Sequence, residues 1–352
     1  MSGLDSYRAV PGGVPAVGDA PLRQDVAREE VGGATCRNAL VSPPPCVSVL
    51  MAVYNGQPYV REAVESILGQ TLRDFEFIII NDGSTDGSEE LLRQYARQDA
   101  RIRLIDRENR GFVPSLNEGL ELARGDFVAR IDADDVALPH RLEEQAGYLR
   151  AHPECVLVGG FWEMMDGKGR AIRGLRLPVE HAEIDGHQLH GRTSVPHCVA
   201  TFRREAQRRV GPYNRAFESA EDLDLWLRLG EVGKLHNIPR VLMRYREHEG
   251  SMSSMRAEAQ LAAMRGGCEA AWRRRNVLGS FEQGEHWRPG KDRASRLRYA
   301  LAQGWSAFMA GHRRTAWVYG GKAVRISPLA KGGWKLLACA ALKPRREEER
   351  GW

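Results

Sequence analysis

Cysteine is scarce and never paired in sequence: the six, at positions 36, 46, 155, 198, 268 and 339, form no C-x-x-C. Such spacing argues against a structural zinc site and against a disulfide scaffold, and makes a reduced, cytoplasmic compartment the expectation. Long apolar runs are missing too. A spanning helix needs about 20 apolar residues, and the longest late run, Leu336 to Leu342, falls far short. A transmembrane protein is thereby excluded, whereas a membrane-surface protein is not. Residues 1–45 hold six Pro and six Gly and no continuous apolar stretch, so they read as a flexible leader and not as a secretory signal. There is neither a G-x-G-x-x-G nor a G-x-x-x-x-G-K-[ST], which disfavours a dinucleotide dehydrogenase and a P-loop kinase. Lysine is rare, 7 against 44 arginines, and this marks coding bias more than mechanism.

What is present is a 352-residue chain, 42% hydrophobic, which is enough for a substantial core. Its formal net charge of +5 conceals an asymmetry. Residues 256–352 carry 20 Lys/Arg and 8 Asp/Glu, a balance of +12, so residues 1–255 carry −7.

Order is expected to begin at Val47. Val47 to Val53 is short, apolar and partly β-branched, as a buried parallel strand should be. A helical pattern runs from Pro58 to Leu68, a strand from Phe75 to Ile80, and a helix from Glu89 to Ala96 after a turn-rich loop with a good N-cap. Ile102 to Ile105, Val113 to Ala123 and Phe127 to Ile131 continue as strand, helix, strand. This alternation predicts a doubly wound, mostly parallel α/β sheet of Rossmann-like character. Beyond residue 150 the pattern loosens. Strands are expected at Cys155 to Gly160, Cys198 to Phe202 and Val241 to Tyr245, a hairpin turn at Gly167–Gly169, and a helix at Glu221 to Leu229. From about Met255 the chain reads as a basic helical extension. One helix pair, Ala294 to Gly311 and Arg314 to Arg325, resembles a single tetratricopeptide-like unit.

In sheets of this type ligands bind beyond the carboxyl ends of the strands. Three such ends carry polar clusters: Tyr54-Asn55, Asp82-Gly83, and Asp132 to Asp135. The last places three carboxylates in four residues; the plainer reading is a solvated turn capping the helix after Pro139, but their repulsion calls for a cation, and oxygen ligands suit Mg²⁺ or Mn²⁺. Asp82 can accept from a base N–H, with Gly83 allowing close backbone approach, although an Asp-Gly turn is the plainer reading. Glu221 and Asp222 open a helix, where the dipole favours acids; a carboxylate held there can also serve as a general base. Arg246 can face phosphate oxygens, and His248 can complete a metal's coordination. Asn109-Arg110-Gly111 is either only a loop or the lining of a sugar pocket, and His197 is an acceptor-side candidate.

The stretch Val47 to Ser253 resembles the inverting family 2 glycosyltransferases of GT-A fold. The matching pieces, in order, are V-S-V-L-M-A-V-Y-N-G, N-D-G-S-T-D-G-S, N-R-G with L-N-E-G-L, A-R-I-D-A-D-D, E-D-L-D-L-W-L-R-L and R-Y-R-E-H-E-G-S-M-S. The resemblance implies a GT-A domain over 46–255, between the leader 1–45 and the extension 256–352. It also implies a nucleotide-sugar donor, often a UDP-sugar, and a divalent metal. Ala52, Tyr54 and Asp82 would then contact the base, with Asn55, Gly83, Asn109 and Arg246 around the donor. Asp132 would meet the nucleoside, Asp134 and His248 the metal, and Asp222 or Glu221 would be the base. Expected acceptors are hydroxyls of glycans, lipid-linked sugars or proteins in cell-surface polysaccharide or glycoconjugate synthesis.

Three other classes compete. A sugar-nucleotide nucleotidyltransferase normally has a Gly-rich basic loop where Tyr54 to Pro58 stands. A non-catalytic nucleotide-sugar-binding module would not need the full acidic set. A glycosidase has no use for an acidic cluster at that end of the sheet. Nucleic acid is not expected, since nothing that stacks bases or reads grooves accompanies the charge. Arg, Lys and Trp mixed in the extension point instead to peripheral contact with the anionic inner face of the cytoplasmic membrane.

Overall fold

The computed structural model describes residues 44–248, 257–283, 290 and 292–342. Nearly all of the expected leader, the boundary expected at 255 and the end of the last matching motif, Glu249 to Ser253, lie outside them.

The chain alternates as expected through its first half: β1 (Val47–Val53), α1 (Val60–Leu68), β2 (Phe75–Asp82), α2 (Ser88–Gln98), β3 (Ile102–Arg107), α3 (Phe112–Leu122) and β4 (Phe127–Arg130). Then follow β5 (Val136–Ala137), α4 (Arg141–Ala151), β6 (Cys155–Asp166), β7 (Ala171–Leu175) and α5 (His181–Leu189). β8 (Thr201–Arg203), α6 (Arg204–Val210), α7 (Glu221–Gly230) and the long β9 (Lys234–Glu247) complete the sheet region. Four helices end it: α8 (Ala257–Arg275), α9 (Arg293–Met309), α10 (Arg313–Ile326) and α11 (Lys331–Leu342).

The strand order is β3-β2-β1-β4-β8-β6-β9-β5, with β7 added to β6. β3, β2, β1 and β4 are parallel; β8 is antiparallel to both β4 and β6, and β6 is parallel to β9. β6 and β9 therefore point the same way as the first four strands, and their carboxyl ends share one edge. Side-chain alternation splits the core in two. Val49, Met51, Phe77 and Ile79 face α1, α2 and α4, while Leu50, Ile78 and Ile80 face α3, α6 and α7. Both layers are apolar, which explains why β1 and β2 read as continuous hydrophobic runs.

Two local expectations change. Cys198 lies in a 3-10 turn, His197–Val199, and the strand proper starts at Thr201. α2 has no side-chain N-cap: its cap is Gly87 in the left-handed region, and Asp86 Oδ1 accepts instead from the Ser88 N–H at 3.0 Å.

The final helices pack onto the sheet region. Met264, Cys268 and Ala271 of α8 close over Ala220, Leu223 and Leu227 of the α7 segment. α9, α10 and α11 bury Ala307, Ala316 and Leu336 against Ile172 of β7. The helix pair read from the sequence is thus two members of a three-helix unit.

Candidate active site

Strand register sets the depth of each cluster. Val53 pairs with Asn81, and Leu50 with Arg130, so Asp132 emerges level with the end of β1. The β1 end is sewn to the loop after β2. Asn55 N donates to Ser84 Oγ at 3.0 Å, Thr85 N donates to Asn55 Oδ1 at 2.8 Å, and Gly56 N donates to Ser88 Oγ at 2.9 Å. Tyr54 is 58% exposed, and Ala52 is half-buried.

Asp82 is buried and held by its own chain. Arg107 pairs with its Oδ1, and the backbone N–H groups of Arg110 and Gly111 donate to the two oxygens at 2.9 Å each. The register Asp82↔Arg107 between β2 and β3 creates this pair. Gly83 has φ +75°, and a Cβ there would stand 2.8 Å from Asn109 N. Only glycine permits this contact, so the loops bearing Asp82 and Asn109 are locked together.

The D-A-D-D segment does not project as one acidic set. Asp132 is half-buried and bonded to the guanidinium of Arg130. Desolvation and then, against the pull of Arg130, the charge of Asp134 raise its carboxyl above the usual range. Asp134 meets His248 directly, Oδ2 to Nε2 at 2.8 Å across 114 residues of sequence. Asp135 turns inward, fully buried, and accepts from the Arg246 N–H at 2.8 Å. Burial, and then Asp134 and Asp132, push its carboxyl well above normal. The physical link is β5: pairing Val136 with Arg244 lays the acidic loop along β9, so that Arg246 and His248 fall beside it.

The guanidinium of Arg246, buried, is committed to the protein itself. It donates to the Asp134 carbonyl at 2.7 Å, pairs with Glu62, and stacks over Tyr59 at 4.7 Å. These contacts hold the acidic loop, and the expectation that Arg246 faces phosphate oxygens is a separate matter of the bound donor.

A third group lies at the start of α7. Glu221, buried, accepts from the Ser219 N–H at 2.8 Å, and His197 Nδ1 is 3.8 Å from its Oε1. Burial first, then the charge of Asp222, pushes Glu221 up to about 8. Asp222 rises to about 6, mainly through desolvation, with the charge of Asp132 adding to it. That coupling places the β4 end and the α7 start within one electrostatic field. His197 also contacts the Tyr213 hydroxyl, 2.9 Å from Nε2; burial and Arg130 hold its pKa well below normal.

Arg130 is the residue that the sequence reading left without a role. It stands within A-R-I-D-A-D-D, fully buried, between Asp132 and the ring of Phe112. Its charge opposes the rise that burial imposes on the carboxyls of Asp132, Glu221 and Asp222. An arginine in an otherwise apolar strand was the available signal, because a buried cation requires anionic partners. Tyr59, Glu62 and Arg107 gave no comparable sign. Among the described residues, Asp132, Asp135 and Cys198 also bring their potential ligand atoms within 4.8 Å of one another.

The glycosyl transferase family 2 profile matches residues 48–211. A Haemophilus influenzae protein named as an uncharacterized glycosyltransferase is 33% identical over 225 residues, 60% of this chain and 68% of the relative. The Bacillus subtilis protein named as the glycosyltransferase EpsE is 37% identical over 208 residues, 58% of this chain and 73% of the relative. Two solved structures share the fold. Staphylococcus aureus TarS residues 1–349 with UDP-GlcNAc has a TM-score of 0.53 at 16% identity, covering 84% of this chain and 87% of that one. The Pyrobaculum calidifontis mannosyltransferase with GDP-Man and Mn²⁺ has a TM-score of 0.51 at 19% identity, covering 85% and 80%. The sheet with its covering helices is therefore the GT-A architecture, and the chain belongs to glycosyltransferase family 2.

Proposed function

We propose that the protein is an inverting, metal-dependent glycosyltransferase. It moves a sugar from a nucleotide-diphosphate donor, of the UDP type, to a hydroxyl of a lipid-linked or glycan acceptor in cell-surface polysaccharide or glycoconjugate assembly. The single observation that carries this reading is the meeting of Asp134 and His248 at 2.8 Å, two residues along the chain from Asp132. A carboxylate oxygen and an imidazole nitrogen brought together from two strand ends form a donor set that fits Mn²⁺ or Mg²⁺. When bound, such a cation offsets the charge of the departing diphosphate. The donors in the solved structures of the fold, UDP-GlcNAc and GDP-Man with Mn²⁺, support the substrate class.

The chain's own residues then divide the work. The stitched loops of Asn55, Asp82 and Asn109 form the nucleoside end, with Tyr54 as an exposed ring available to stack on a base. Arg246 holds the acidic loop from behind. Asp222 takes the proton of the acceptor hydroxyl, whose oxygen attacks the anomeric carbon from the face opposite the nucleotide. The new glycosidic bond forms as the bond to the diphosphate breaks, so the anomeric configuration inverts. We assign this chemistry to residues 46–255 and treat 256–352 as a helical extension that lies against it, with the enzyme acting at the inner face of the cytoplasmic membrane.

The test offers purified protein a panel of nucleotide sugars with Mn²⁺ and measures nucleoside diphosphate release, with and without lipid or glycan acceptors. Release from one donor, abolished by chelator and in Asp134→Ala, is the expected result. Pyrophosphate exchange with a sugar phosphate would support a nucleotidyltransferase instead. Donor binding without turnover across a broad acceptor panel would indicate a binding module.

A further inference from the structure

Residues 293–342, which span the last three helices, contain nine Lys/Arg and no Asp/Glu. One side of this unit is occupied. Tyr319 donates to Asp166 at 3.2 Å, and Gln303 donates to Glu247 at 2.8 Å, next to the candidate metal ligand His248. Other side chains of the unit are exposed among the described residues. α10 and α11 lie together, with Gly320 against Leu337 and Gly333 against Val324. Trp317, three residues before Gly320, and Trp334, three residues before Leu337, are 51% and 55% exposed. The Trp334 indole N–H is already satisfied by the Pro328 carbonyl at 2.9 Å, so its ring is left as apolar surface. Leu329, in the connection between the two helices, is 97% exposed. Arg314 and Arg325 accompany Trp317 on α10, and Lys331 and Lys335 accompany Trp334 on α11, all exposed.

We propose that this outer face of α10 and α11 is a docking surface for an anionic phospholipid bilayer. The proposal deepens the reading above, since it rests on an acceptor carried by lipid. Charge complementarity selects the occupant: the segment is uniformly cationic, and each Lys or Arg near an anionic leaflet strengthens binding about fivefold. The exposed indoles and leucine favour a bilayer over a nucleic acid, because they enter the headgroup boundary while the basic side chains stay at the phosphates. Contacts on the opposite side to Asp166 and Glu247 would then hold the active site at a defined height above the lipid.

The full chain is centrifuged with vesicles of phosphatidylcholine and of phosphatidylcholine mixed with phosphatidylglycerol, at low and at physiological salt. Binding to the mixed vesicles alone, weakening with salt, is expected, with a blue shift of tryptophan emission. The triple variant Arg325→Gln, Lys331→Gln, Lys335→Gln should lose about 10²-fold in vesicle affinity. Trp317→Ala with Trp334→Ala should lose the blue shift and about tenfold in affinity. Both variants change exposed side chains only, and donor turnover with a short water-soluble acceptor should stay at the wild-type level. Equal binding to neutral vesicles, vesicle affinity unchanged in both variants, or a face that instead binds nucleic acid or a second copy of the chain would overturn the proposal. Retained turnover with no vesicle binding would remove the docking surface alone. Vesicle binding with no turnover on any donor would remove the catalytic reading alone.

Discussion

Asp222 and Glu221 are neighbours in sequence with different surroundings, and this separates two carboxylates that the sequence left equivalent. Glu221, pushed up to about 8 by burial, holds its proton at neutral pH. Asp222, at about 6, is ionised there and can accept one. Asp222→Asn should therefore cut kcat by at least ~10²-fold while donor affinity, read by titration, stays within a few-fold. The wild-type rate should climb as pH rises through about 6; a flat profile would move the base elsewhere. Glu221 carries a stability consequence of defined sign. A carboxyl whose pKa is raised on folding binds its proton more tightly in the native state, so its contribution is complete below its ordinary 4.5 and fades as pH rises to about 8. Glu221→Gln should melt with the wild type in acid and above it in mild alkali, as calorimetry across that range would reveal.

At the scale of elements, the candidate site depends on loops locked to one another more than on any single strand. The β2–α2 loop and the β3–α3 loop touch at Gly83 and Asn109. Gly83→Ala forces a side chain into the left-handed region, at about 1–2 kcal/mol, and drives its Cβ against Asn109. A lower Tm together with weaker nucleotide binding is expected; an unchanged affinity would show that this loop pair does not shape the donor pocket. The β5–β9 pairing plays the corresponding role at the acidic end, since it sets Arg246 and His248 beside Asp134 and Asp135.

The whole molecule has the two charge regions that the sequence suggested, and they are not independent bodies. α8 buries Leu223 and Leu227 of the helix that carries Asp222. Removing residues 256–352 would expose both leucines, and the loss of packing at two buried leucines is worth several kcal/mol. A chain ending at 255 should melt markedly lower or aggregate, whereas one ending at 283 should keep α7 covered and melt higher than the shorter chain. Equal melting of the two would mean that α8 adds no support. Truncation is for the same reason a poor probe of membrane contact, and point changes on α10 and α11 are the cleaner one. Among the described residues no helix is long and apolar enough to cross a membrane.

The sequence by itself determined the alternation of the first four strands and three helices, because apolar runs and turn residues report local periodicity directly. It also determined which strand ends carry polar groups, hence Asn55, Asp82, Asp132 and Asp134 as candidates. Only the tertiary structure decided how those groups divide. The pairing of Asp134 with His248 spans 114 residues and follows from β5 lying against β9, a contact that a two-residue strand does not announce in sequence. Asp135 turns inward and Arg246 meets Glu62 and Tyr59 because strand register, not residue type, sets which way each side chain faces. The burial that parts Glu221 from Asp222, and the buried Arg130 that restrains both, arise from desolvation in a packed cleft, a property of the folded chain that local sequence pattern does not carry.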